Sequence, residues 1–234
     1  AAVGGSCHVH FGRVQVCLTV SGFVKIWQKT GEIFDETPLS LPPHRYETRA
    51  VWLDLPDGAS ATLGYSSSEL DAGLHAAAHA ILAVMPLHLS CEPADVGCEC
   101  DALRKGRLWP KRLLLFDRCE GGLGIVRRAR DVMVPLLQDA LRLMAGCGCA
   151  TGCWCCVHAA KCTEYNAGSD KVAAMRVVEE LLHAAGRPLE PHPPPFVTCS
   201  ACDTGGHAGP EGASSMLGRS IRRMWTIAKP SAPA

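Results

Sequence analysis

Gly146-Cys147-Gly148-Cys149-Ala150-Thr151-Gly152-Cys153-Trp154-Cys155-Cys156-Val157-His158-Ala159-Ala160-Lys161-Cys162 is the stretch on which the reading of the chain turns. Six thiols and one imidazole crowd into it, with glycines between them. A tetrahedral site needs four soft ligands converging at about 2.3 Å on one ion, and short glycine-bearing loops let the backbone fold around it. The spacing favours Cys149-x3-Cys153-x2-Cys156-x5-Cys162, with Cys153 and Cys156 as the chelating knuckle and Cys149 and Cys162 closing the tetrahedron. Cys147 and Cys155 are then spare, and Cys155, adjacent to a ligand, should point away from the ion. Two exchanges stay open at this level: Cys147 for Cys149, or His158 for one of the thiols. Iron–sulfur clusters also use four cysteines. A closed thiolate set without an evident redox partner is more typical of zinc, so structural zinc is the expected cofactor.

The rest of the composition sets the context. The chain has 234 residues, 14 of them cysteine, and is 47% hydrophobic. A chain of that size buries a proper core without disulfide staples. Half of the cysteines lie in Cys119–Cys162, a distribution that fits a metal site better than dispersed bridges. The beginning, AAVGGSCHVHFGRVQV, has no basic segment followed by an apolar run, so no secretory signal is expected there. It also lacks a methionine, as a processed chain or a fragment would. No uncharged apolar stretch of about 18 residues occurs, so no membrane partner is expected. An intracellular, reducing setting follows. Lys+Arg and Asp+Glu are 23 each, so no global charge marks the chain for nucleic acid or lipid, although a local basic face can sit on a neutral protein.

Upstream of the cluster the pattern is first strand-like. Aliphatic residues recur at every second position in Val14-Gln-Val16-Cys-Leu18-Thr-Val20; Ser21-Gly22 breaks the run, and Phe23–Trp27 looks like the returning strand of a hairpin. Thr48–Leu55 predicts a third strand, and the continuous apolar run Lys111–Asp117 a buried one. Leu70, Leu74, Ala77, Ile81 and Met85 fall on one helical face, with Ser66/Glu69 or Ser68/Asp71 at capping-box spacing. A second helix is expected over Ile125–Met144, kinked or divided at Pro135, and a third after Ser169 or Asp170, ending at Gly186. β-rich first, then helical with one further strand, the order indicates an α+β fold. From Pro188 onward Pro, Gly, Ser and Ala dominate, which reads as a disordered tail. The expected division is 1–187 as one domain, with the zinc loop at 145–170, and 188–234 as the tail.

Other constellations are weaker. Cys91 and Cys98-Glu-Cys100 lack a partner pair, and Cys199-Ser-Ala-Cys202 with His192 and His207 sits in a polar tail. His75 and His79 stand four apart on a helix, a metal-ligand spacing, but no glutamate base lies between them and packing is the favoured role. Asp117 before Gly121-Gly122-Leu-Gly124 suits a phosphate or catalytic carboxylate no better than a strand-to-helix turn. A hydrolase built from Asp117 and His75 or His79 lacks a visible nucleophile–base–orienter set. Arg127, Arg128 and Arg130, with Lys161 and Lys171, are candidate phosphate contacts, although a solvated face explains them equally. No G-x-x-x-x-G-K-[ST] phosphate loop occurs, so this chain is not expected to be an ATP-driven enzyme alone.

Together these residues resemble the MrfA-type zinc-binding domain at the C-terminus of Hrq-type DNA helicases, RecQ-like members of superfamily two. The likeness rests on Cys149–Cys162 with Asn166 and Asp170-Lys171, and on Phe116-Asp117 and Gly121-Gly122-Leu-Gly124. It extends to Leu74-His75-Ala-Ala-Ala-His79 through Pro86, Asp95-Val-Gly97, Val20–Lys25 and Leu41–Trp52, and covers about Val14–Gly186. The family pattern C-x3-C-x2-C-x5-C-x3-N carries a proline after its second cysteine, where this chain has Trp154, which should alter the local turn without removing a ligand. The resemblance implies two motor lobes, with ATP and magnesium, that this chain does not contain. It further implies single-stranded DNA as a partner, a role in the repair of crosslinks and bulky lesions, and an intracellular, nuclear location. The rival expectation is a zinc-stabilised protein-interaction module with no nucleic-acid role.

Overall fold

A computed structural model describes residues 8–27, 33–98, 111–162, 166–186 and 218–228. Its centre is an antiparallel sheet in the order β2-β1-β3-β5-β4, with β6 on the other edge of β1. The strands are β1 (Val9–Ile26), β2 (Ile33–Pro38), β3 (His44–Asp54), β4 (Val96–Cys98), β5 (Arg112–Asp117) and β6 (Gly218–Ala228). The helices are α1 (Ala59–Leu63), α2 (Ser67–Val84), α3 (Ile125–Asp131), α4 (Met133–Gly146) and α5 (Lys171–Ala184). The fold is α+β, as the order of patterns indicates.

The period-2 rule explains the sheet's two faces. Val51, Leu53, Leu113 and Leu115 join the large core shared with the helices, while Ala50, Trp52, Leu114 and Phe116 join a smaller cluster with Val14, Val16 and Tyr46. A strand buried on both faces must be apolar throughout, hence the unbroken run in β5.

α2 is the central helix. Ser66 caps it: its hydroxyl accepts from the Glu69 N–H, and the Glu69 carboxylate accepts from the Ser66 N–H. Its alanines let α5 and α4 approach closely, and burial runs almost all the way round it. Together with the following turn, Ser67–Leu87 is long and apolar enough to cross a membrane, yet most of it is buried inside the protein, which marks a core helix. Asp71 on α2 and Lys111 before β5 form a buried ion pair that ties helix to sheet.

Several expectations change. Ser21-Gly22 is not a hairpin turn, because β1 runs through it and absorbs it as an irregularity in the pairing with β6. Glycine is used there for a close approach: a Cβ at Gly22 would sit 2.8 Å from the Thr37 carbonyl oxygen of β2. The long second helix divides at Val132 rather than Pro135, and Pro135 lies in the first turn of α4, where the missing N–H costs nothing. Short β4 and α1 carry too few residues to show a period. Within the segment read as a tail, Gly218–Ala228 pairs with β1; the remainder, with Cys199, Cys202, His192 and His207, lies outside the described residues, as does Cys100.

Candidate metal centre

The thiol loop starts where α4 stops. Cys147 is the residue after the helix, its N–H still bonded to the Met144 carbonyl, and the chain then turns through Gly148 and Gly152. Gly152 has φ 135, and a Cβ on it would meet the Val157 side chain at 2.5 Å, so the loop closes only with glycine there. The Cys153 carbonyl accepts from the N–H groups of Cys156, Val157 and His158 at 3.1, 3.1 and 3.0 Å, a tight knuckle that turns both thiols the same way.

The sulfurs of Cys147, Cys149, Cys153 and Cys156 converge. Four edges of the figure measure 3.6 Å (Cys147–Cys149), 3.5 Å (Cys147–Cys153), 3.4 Å (Cys149–Cys156) and 3.8 Å (Cys153–Cys156). Sulfurs at about 2.3 Å from a tetrahedral zinc stand about 3.8 Å apart. The group therefore has the size of a zinc tetrathiolate with little adjustment. All four ligands would come from protein, leaving no open position, which is the pattern of a structural site.

Burial raises the Cys149 and Cys156 thiols above their ordinary range. A metal that binds there must displace the protons of those two thiols. The outer groups suit the resulting negative charge. The Lys171 ammonium, on the first residue of α5, donates to the Cys147 and Cys149 carbonyls at 2.6 and 2.7 Å and lies 3.7 Å from Cys149 Sγ. The Cys155 N–H points at Cys153 Sγ at 3.4 Å. Such contacts fix ligands and offset charge.

The four expected ligands are thus not all brought together. Cys149, Cys153 and Cys156 meet, but Cys147, expected to be spare, takes the fourth corner. Cys162 lies elsewhere, with its sulfur 3.2 Å from His75 Nε2 and close to His79. The reason is the path of the chain: after the knuckle, Val157–Cys162 turns back under α2, and Asn166 (φ 62) holds that turn through Ala159 and donates its N–H to Cys162 Sγ at 3.2 Å. Cys155 is exposed, as expected, and His158 does not join either group.

The other candidates also find places. Asp117 is fully buried and accepts from the Gly124 and Val126 N–H groups at 2.9 and 3.1 Å, so it caps α3. Arg127, Arg128, Arg130 and Lys161 are exposed, with Arg130 also against Phe11 and Asp131. Lys171 is only 6% exposed and turned into the thiol loop, so it is not available to a phosphate.

The stretch that holds the four thiols also falls within matches to known proteins. Residues 77–157 match the family described as the MrfA Zn-binding domain. The ATP-dependent helicase hrq1 of Schizosaccharomyces pombe is 29% identical over 195 residues, which cover 76% of this chain and 18% of the helicase. This chain thus spans less than a fifth of that relative. An uncharacterized protein of Methanocaldococcus jannaschii, MJ1572.1, is 29% identical over 111 residues, 47% of this chain but 99% of the archaeal protein. Among solved structures, the DUF1998 helicase MrfA bound to DNA superposes with a TM-score of 0.53 at 21% identity, over 75% of this chain and 22% of that one. That likeness speaks for the fold. Three quarters of the chain is thus similar to part of an Hrq1 helicase, and residues 77–157 within that region match the MrfA Zn-binding domain.

Proposed function

We propose that this chain is the zinc-stabilised C-terminal accessory region of an ATP-dependent 3′–5′ DNA helicase acting in DNA repair. The observation that carries the reading is the closed group of four thiols, sized for zinc, inside the stretch that matches the MrfA Zn-binding domain. Cys147, Cys149, Cys153 and Cys156 hold the zinc and Cys162 does not. The ion locks the end of α4 to the start of α5 and gives the domain a rigid edge. Residues 1–187 form the accessory domain, with the zinc loop at 145–170, and Gly218–Ala228 adds β6 to its sheet. Translocation, with ATP and magnesium, belongs to motor lobes that this domain abuts. Single-stranded DNA is engaged through the exposed Arg127, Arg128 and Arg130 of α3 and through Lys161. The setting is intracellular and nuclear.

Binding of a labelled single strand at two salt concentrations tests the DNA role. Salt-sensitive binding that weakens in Arg127→Ala/Arg128→Ala supports it; salt-independent or absent binding sinks it. One observation favours a second reading, a stand-alone zinc-stabilised interaction module: the archaeal relative is matched over 99% of its own length. Capture of a helicase motor domain in a pull-down without competition by single-stranded DNA would favour that reading.

A further inference from the structure

We infer that His75, His79 and Cys162 form a second transition-metal site, separate from the thiol loop and open on one side to a cavity. The three ligand atoms lie within 4.8 Å of one another, and the residues are 1%, 3% and 9% exposed. α2 sets the two imidazoles four residues apart on one face, with ring centroids 4.5 Å apart. The returning loop then supplies the sulfur.

The details suit ligation better than ordinary packing. His79 Nδ1 is 2.9 Å from the Val157 carbonyl oxygen, which can only accept. The proton therefore sits on Nδ1 and the lone pair on Nε2, the arrangement by which a backbone carbonyl orients a metal-binding imidazole. Cys162 Sγ accepts the Asn166 N–H at 3.2 Å, a contact that holds the sulfur in place beside His75. His75 has one nitrogen against that sulfur, while its buried Nδ1 has no hydrogen-bond partner. A packed core histidine is satisfied at both nitrogens by hydrogen bonds; this one is not, and it turns Nε2 to the sulfur at a distance that two ligands of one ion can share.

Two imidazoles and one thiolate suit a borderline-soft divalent ion, zinc above all. His79 and Cys162 also line a cavity of about 400 Å³, with Leu82, Cys98, Arg118 and Lys161 among its other walls. A fourth position facing that cavity would take water or a small anionic or thiol ligand. Three protein ligands with one open position distinguish this site from the closed tetrathiolate.

Metal analysis and zinc X-ray absorption on the full chain, purified under reducing conditions, test the inference. The expected result is about two zinc ions per chain and a mean shell that includes imidazole nitrogen beside sulfur. His79→Gln should drop the content to about one and leave a sulfur-only shell; Cys149→Ser/Cys153→Ser should drop it to about one and leave a nitrogen-containing shell. A wild-type content of about one with a sulfur-only shell, unchanged in His79→Gln, overturns the second site without touching the first. The wild-type spectrum alone decides the point if a variant fails to fold.

Discussion

The thiol loop and the histidine–thiol group both draw on the Cys147–Cys162 segment, yet they are built in opposite ways. The loop takes its four sulfurs from a single short run, Cys147 to Cys156, and three of those cysteines are partly exposed. The second group joins residues 87 positions apart and is buried throughout. Local spacing makes the first, so it needs a metal to hold its shape more than it needs the core. Tertiary packing makes the second, which can exist only once α2 and the returning loop have docked. Metal capture should therefore act as folding energy for the loop, whereas in the buried group folding comes first and the metal second.

The largest expected effect is loss of the loop's own ion. Structural zinc contributes on the order of 10 kcal/mol of apparent binding energy to small zinc domains. Cys153→Ser should abolish that binding, and limited proteolysis should then cut first near the thiol loop while the sheet stays protected. Uniform cleavage across the sheet would mean the loop is not locally stabilised. Next comes the anchor of α2. Asp71→Ala leaves the Lys111 ammonium buried without its carboxylate, and breaking such a pair costs about 3–5 kcal/mol in denaturant unfolding. Replacing both by apolar residues of similar size should recover most of that loss, which would show that the pair specifies position more than it stabilises.

Smaller effects probe the join between loop and helix. Lys171→Met removes the donor shared by the Cys147 and Cys149 carbonyls and should cost about 1–3 kcal/mol, with faster zinc release to a chelator. Asp170→Ala removes the cap of α5 and should cost about 1 kcal/mol with zinc release unchanged. The smallest effect is a pH effect on α2. Hydrogen bonds from Ser66 hold the Glu69 carboxyl below its usual range. A depressed carboxyl contributes stability above its unfolded pKa and loses it as pH falls through the folded value. The stability gap between wild type and Ser66→Ala should therefore be largest at neutral pH and shrink in acid.

The contrast also explains what could be read in advance. The helical period of Leu70–Met85, the alternation in β1 and the apolar run of β5 are local signals, and the elements appear near their expected places. So does the presence of a thiol site, since Cys153-x2-Cys156 chelates by spacing alone. Which thiol completes the group of four is not legible, because Cys147 and Cys162 are both within chain reach and only the course of the turn held by Asn166 separates them. His75 and His79 were visible as a pair, but nothing local shows that a thiol comes to meet them. Lys171 illustrates the same limit: a cation after the cluster looks like a phosphate contact until the docking of α5 turns it inward. A reading by composition also hid β6, since Ile221, Met224, Trp225 and Ile227 are diluted by the surrounding Gly, Ser and Pro.

One comparison tests the central claim most directly: zinc retained by Cys147→Ser against zinc retained by Cys162→Ser, followed through cobalt substitution and the sulfur-to-cobalt charge-transfer band of a tetrathiolate site. Cys147→Ser is expected to lose the tetrathiolate band and Cys162→Ser to keep it. The band surviving in Cys147→Ser and vanishing in Cys162→Ser would contradict that claim.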